Sequence, residues 1–248
     1  MKENILNMSE KEFEDLVSEE NLPSIYSDDD LIRSIVELIP IVGPIIDGVI
    51  ARIGTKYKEK RMHMFLILFY KSLKIIENRL DEKEFNEKLK WTETEEFHDM
   101  FNSAIDSTIK TRSREKIIMN VMILTNIISV KNNGEFRPEE YIYSLESLSP
   151  LEVKVIYIFY NCYKKDNNLD NEENDLQKSN RINAKEKVME ELHIDEQDLI
   201  FLLTRIEKSG FLKEITATMF DYEGGAFTIN ESLNRMMNYI SKHPFSDL

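Results

Sequence analysis

Cysteine is almost missing from this chain: Cys162 stands alone among 248 residues. A single thiol forms no intrachain disulfide and rules out a cysteine-rich zinc site. Its neighbours Ile158, Phe159, Tyr160 and Tyr163 bring no positive charge to hold a thiolate, so an ordinary packed thiol is expected. Glycine and proline are scarce as well, at 7 and 6 residues, which predicts long helices with few turns and excludes an all-β sandwich. Four histidines, His63, His98, His193 and His243, sit without metal-ligand spacing, and no HExxH occurs. A GxxxxGK[ST] loop for nucleotide phosphates, a GxGxxG turn after a strand and a GxSxG elbow are all lacking. No cofactor is expected, and no catalytic or metal-ligating residue is singled out. Glu93, Glu95, Glu96 and Asp99 crowd together, as acids do by chance in an acidic chain, and define no hydrolytic pair by themselves. An atypical metal-dependent nuclease stays open as the enzymatic alternative.

Positive charge is in short supply, with 32 Lys and Arg against 46 Asp and Glu and a net charge of −14. Such a field repels phosphate backbones and anionic membrane surfaces, so nucleic acid is not the expected partner unless a local basic patch overcomes it. The opening MKENILNMSEKEFEDLVSEE lacks the continuous apolar core of a secretory signal, which points to the cytoplasm. Long apolar runs are absent too. Between Glu37 and Asp47 lie nine uncharged residues, whereas a membrane-spanning helix needs about 20 apolar ones.

Against these absences, 42% hydrophobic and 31% charged residues supply both a core and a solvated surface. Ser9 with Glu12 three positions on reads as a capping box opening a first helix. From Thr55 to Leu80, apolar residues recur every three or four positions, which is one core-facing helical stripe. Thr92 with Glu95 reads as the next capping box, ahead of a helix carrying Phe97, Phe101, Ala104 and Ile105. Helices are also expected over 114–130 and 138–146. Ser149 then caps an apolar, aromatic helix from Leu151 to Tyr163 whose first turn begins with Pro150. Residues 164–183 are polar and low in bulky apolar groups, the composition of an insertion.

Residues 31–53, LIRSIVELIPIVGPIIDGVIARI, stand apart. Pro40 and Pro44 each remove an amide donor, and Gly43 and Gly48 lower helical propensity, so two short helices joined near 40–44 are expected. Two roles stay open: a buried hairpin, or a segment that leaves the core for a partner's groove or a membrane surface. Its candidate contact residues are Ile39, Ile41, Val42, Pro44, Ile45 and Ile46.

Toward the C-terminus, a helix over 184–192, a turn at His193-Ile194, a helix over 195–209 and a strand from Gly210 to Ile215 follow one another. Two β-prone runs then flank Asp221-Tyr222-Glu223-Gly224-Gly225, and a helix over Glu231–Ile240 closes the chain. The order resembles a winged helix. In that arrangement the second helix leads with its N-terminal residues, here Asp195, Glu196 and Asp198, which would meet repulsion from DNA phosphates. With Arg205 farther along, they form a candidate helix for docking on protein. The fold class expected is mainly α, an N-terminal helical bundle plus a C-terminal winged-helix-like α+β module. The domain division is 1–30, an N-terminal helix and loop; 31–134, a helical domain; and 135–248, a winged-helix-like domain with a polar insertion at 164–183.

The stretch Glu95 to Ile105 (EEFHDMFNSAI), then Leu145 to Leu151 (LESLSPL), then the winged-helix-like end resembles the abortive-infection alpha family of bacterial helical proteins and its uncharacterised relatives. The resemblance covers residues 60–240 through apolar patterns, and LIPIVGPIIDG falls outside it. It implies a role in phage defence, often beside a neighbouring gene product. The expected function is therefore a non-enzymatic adaptor or regulator of a bacterial or mobile-element defence system. Its expected partner is another protein encoded nearby, and a homo-oligomer is also open. A membrane-acting effector using residues 31–53 and a winged-helix transcription regulator are the alternatives.

Overall fold

The computed structural model describes residues 9, 11–13, 15, 56–129, 138–166, 184–215 and 225–241. The described residues are mainly helical, with one small two-stranded antiparallel sheet among them. The chain divides into two compact units, residues 1–146 with 239–248 and residues 147–238.

The first unit opens on the expected capping box. Ser9 N–H donates to the Glu12 carboxylate at 2.8 Å, while the Ser9 hydroxyl accepts the Glu12 N–H at 3.3 Å. The Ser9 hydroxyl also donates to the Glu12 carboxylate at 2.6 Å, and this bond, together with the one from the Ser9 N–H, holds the Glu12 carboxyl below its ordinary pKa. Helix α1 runs Lys56–Glu77, α2 Glu82–Leu89, α3 Glu95–Lys110, α4 Arg114–Ser129 and α5 Pro138–Ser147. Helix α1 packs on α3 and α4, and α2 also lies against α4. Helix α4 is buried from Lys116 to Ile128 on every side. That burial is possible because its sequence is charge-free after Lys116.

Two expectations need correction here. The cap of α3 is Thr94, not Thr92: the Thr94 hydroxyl accepts the Phe97 N–H, and the Thr94 backbone is extended at φ −83° and ψ 150°. Thr92 lies inside a 3-10 turn over Lys90–Glu93, where its hydroxyl donates to the Leu89 carbonyl at 2.6 Å. Helix α2 was not expected from the sequence. Its apolar contribution to the core is Phe85, too little for a periodic stripe, and Asp81 caps it by accepting the Glu84 N–H at 2.8 Å.

The centre of this unit is aromatic. The Phe101 ring stands edge-on to Phe65 and Phe69 at centroid distances of 5.6 and 5.3 Å, and Phe97 and Trp91 extend the cluster. A polar seam runs beside it between α3 and α4. Asn120 donates to the Ser107 hydroxyl at 3.3 Å, and the buried Thr108 hydroxyl has no hydrogen-bond partner. A buried hydroxyl without a partner keeps its desolvation cost and returns nothing. Thr108→Val, which keeps the shape and removes the oxygen, is expected to stabilise the chain by about 1 kcal/mol. Urea unfolding checks this; a loss of stability of similar size would show that the hydroxyl is satisfied after all.

His63, on α1, is half-buried, and burial lowers its pKa below the ordinary 6.5. Above about pH 6.5 both folded and unfolded states carry the neutral ring. Below it the unfolded chain takes up the proton first, so stability falls with pH until the lowered folded value is passed. Denaturation midpoints at pH 7.5 and 5.5 should differ less in His63→Gln than in the parent. Equal acid losses in the two proteins would remove His63 as a cause.

The second unit consists of α6 (Pro150–Asp166), α7 (residues 184–192), α8 (Glu196–Lys208), strands β1 (Leu212–Glu214) and β2 (Phe227–Ile229), and the start of α9 (Glu231–Ser241). The strands pair antiparallel, with Leu212 opposite Ile229 and Glu214 opposite Phe227. Ser149 caps α6 as expected, accepting the Glu152 N–H at 3.2 Å. Helix α7 ends where His193 adopts φ 52°, and the Ile194 N–H reaches back to the Met189 carbonyl at 3.3 Å, a six-residue closure. At the end of α8, Gly210 takes φ 79°, turning the chain into β1. The Gly210 carbonyl then accepts from the Asn230 amide at 3.1 Å and from the Ser232 hydroxyl, which ties that turn to the start of α9.

Candidate contact site

Helix α8 is the element that the rest of the second unit holds in place. Asp195 is its N-cap, accepting the Asp198 N–H at 2.8 Å, and Glu196 and Asp198 lie in its first turn, where carboxylates favour the positive end of the helix dipole. Leu199, Leu202, Leu203 and Ile206 form the buried stripe, and α8 packs on α6 and β1 through it. Gly225, beside β2, approaches the same helix, because a β-carbon there would lie 3.4 Å from Ile200.

The opposite stripe faces solvent. Gln197, Asp198, Phe201, Thr204, Arg205 and Lys208 are all exposed, and Phe201 is 61% exposed although it is the bulkiest apolar residue of the helix. The Arg205 guanidinium lies 5.9 Å from the Phe201 ring centroid, within reach of a cation–π contact.

Arg205 also has a structural task that sequence reasoning missed. Its Nε lies 2.9 Å from a Glu152 oxygen, and the Glu152 side chain is only 1% exposed. That oxygen accepts no aligned hydrogen bond, so the contact is a charge pairing rather than a directed bond. The other Glu152 oxygen accepts the Ser149 N–H at 2.5 Å. One buried carboxylate therefore caps α6 and anchors α8 together. The Ser149-to-Glu152 spacing is visible in the sequence as a capping box; the long-range partner is not.

Asp195, Glu196, Asp198 and Arg205 thus fall on one helix, as expected. Asp195 acts as cap and Arg205 as anchor, while the stripe they flank centres on Phe201, which was not among the expected contacts. Ile39, Ile41, Val42, Pro44, Ile45 and Ile46 lie outside the described residues. So do the polar stretch 167–183 and the turn at 221–224. Among the described residues, no three His, Cys, Asp or Glu side chains form a group able to hold a metal ion. No described helix is long and apolar enough to cross a membrane.

The described architecture is a mainly helical chain of two units with a two-stranded hairpin in the second. No protein-family model, curated protein or solved structure matches it.

Proposed function

We propose that this chain is a non-enzymatic interaction protein, an adaptor or regulator, that docks on protein through the outward stripe of α8. The observation that carries the reading is Phe201: a large ring held 61% exposed on a capped, anchored helix, with charges of both signs around it. An aromatic centre inside a polar rim is the anatomy of a protein contact, and covering such a ring contributes about 1.5–3 kcal/mol. The Glu152–Arg205 pairing supports the reading from below, since a stripe fixed before binding loses less entropy on docking. The setting, a bacterial or mobile-element phage-defence system with a partner encoded nearby, follows from the resemblance of Glu95 to Ile105 and Leu145 to Leu151 to the abortive-infection alpha family.

A photo-crosslinking residue introduced at position 201, with position 83 on α2 as an exposed control, tests this in growing host cells. A discrete protein adduct from 201 and none from 83 is the expected result. No adduct from position 201, including during phage challenge, overturns the docking reading.

A second reading is favoured by one specific observation. The described order α6, α7, turn, α8, β1, β2 resembles that of a winged helix, a module that commonly reads DNA with its second turn-linked helix. Against it stand Asp195, Glu196 and Asp198 at the leading end of α8. A gel shift that weakens steeply with salt would favour DNA; no shift at low ionic strength removes it.

A further inference from the structure

The outward stripe of α8 is complementary to itself, and this identifies a partner. Taking Phe201 as the middle of the stripe, Asp198 lies toward the N-terminal end and Arg205 toward the C-terminal end, on the same flank of the helix at 100° per residue. Gln197, Thr204 and Lys208 lie on the other flank. A two-fold axis perpendicular to the helix, passing between positions 201 and 202, brings a second α8 alongside in the antiparallel sense. Flanks are preserved by that operation and axial order is reversed. Asp198 of one copy then faces Arg205 of the other, and the same pair recurs on the far side of the axis. Gln197 falls between Thr204 and Lys208 of the second copy, both able to bond an amide side chain. The two Phe201 rings meet at the centre and cover each other.

We propose that α8 is the interface of a homodimer, an antiparallel, two-fold pairing of α8 with the α8 of a second copy of this chain. The inference rests on the docking reading above and names its first occupant. An isologous contact requires a patch that carries both members of every pair, and this one does. A stripe of single sign would need a different partner; the acid and base here are placed at matching distances either side of an apolar centre. Arg205 serves both purposes at once, with Nε toward Glu152 and nearly half its side chain open to solvent.

Sedimentation of the purified full chain over a concentration series tests the proposal. The wild type is expected to pass from monomer to dimer at micromolar concentrations, with weaker association at higher salt. Phe201→Glu places charge at the axis, and Asp198→Lys sets a cation against Arg205 of the second copy; each is expected to weaken dimerisation about tenfold or more. Gln197→Glu sets a carboxylate near Lys208 of the second copy and is expected to tighten it, whereas Gln197→Lys loosens it. Lys83→Glu, on α2, should leave it unchanged. All four positions are exposed, and thermal melts establish that each of the five variants is folded. A wild type that stays monomeric at about 100 µM, or a dimer indifferent to both Phe201→Glu and Asp198→Lys, overturns the dimer. If position 201 still crosslinks to a different protein in cells, the docking reading stands without the dimer. If position 201 gives no adduct at all, both fall.

Discussion

Replacing Phe101 by alanine is expected to cost about 4 kcal/mol of stability and to lower the unfolding midpoint by roughly 10 °C. The ring is almost fully buried, and it meets Phe65, Phe69 and Phe97 at centroid distances of 5.3 to 5.7 Å. Truncation removes the transfer energy of the ring and leaves a void. The surrounding rings sit on α1 and α3, which pack on each other and on the buried α4, so the void has little freedom to collapse. Edge-to-face contacts with two neighbours are lost as well. Phe101→Leu, which refills most of the volume, should cost about 1.5 kcal/mol or less. Calorimetry of the two variants checks the pair. A loss below about 1 kcal/mol for Phe101→Ala would mean that this cluster is not the core of the first unit.

The second large effect is expected at Arg205. Arg205→Ala leaves the Glu152 carboxylate, 1% exposed, without its counter-charge. Removing one partner of a buried pair costs about 3–5 kcal/mol; Arg205 is 46% exposed, so water screens the pairing and a loss of about 2–3 kcal/mol is expected instead. The sharper expectation concerns the double variant. Glu152→Gln keeps an acceptor for the Ser149 N–H but carries no charge, so Arg205→Ala should cost distinctly less in that background. Denaturant unfolding of the four proteins closes the cycle. Equal costs in both backgrounds would show that Arg205 acts through packing of its stem and not through charge.

Much of the helical framework was legible because its signals are local. Ser9 with Glu12 and Ser149 with Glu152 both form the capping bonds that their spacing predicts. The aromatic run of α6 and the apolar stripes of α1, α3 and α4 fall inside helices within a few residues of their expected ends. The errors have equally local causes. WTETEE holds two threonines, and only Thr92 has a glutamate three positions on. The 3-10 turn that draws Thr92 into a helix is a matter of how α2 and α3 are joined, which spacing does not encode. Helix α2 offers Phe85 and little other apolar signal, yet the Asp81-to-Glu84 spacing was there to be read.

The contact stripe was legible in part. Asp195, Glu196, Asp198 and Arg205 were assignable to one helix from their positions between the turn at His193 and Gly210. Which side of that helix faces outward was not, because Phe201 looks like one more apolar residue among Leu199, Leu202 and Leu203. Only the packing of the buried side against α6 and β1 separates them. The pairing of Arg205 with Glu152 is a long-range contact, and nothing in the local pattern of either residue announces the other.

The claim at the centre of this account is that protein covers the outward stripe of α8 in the working molecule. Thiol labelling at Thr204→Cys, in a Cys162→Ser background, measures that most directly. Thr204 lies on the stripe and is exposed, and its hydroxyl only donates back to the Ile200 carbonyl within the helix. In host cells the thiol should label several-fold more slowly than in the diluted purified chain, while Lys83→Cys on α2 labels equally in both. Equal labelling of position 204 in cells and after dilution would contradict the account.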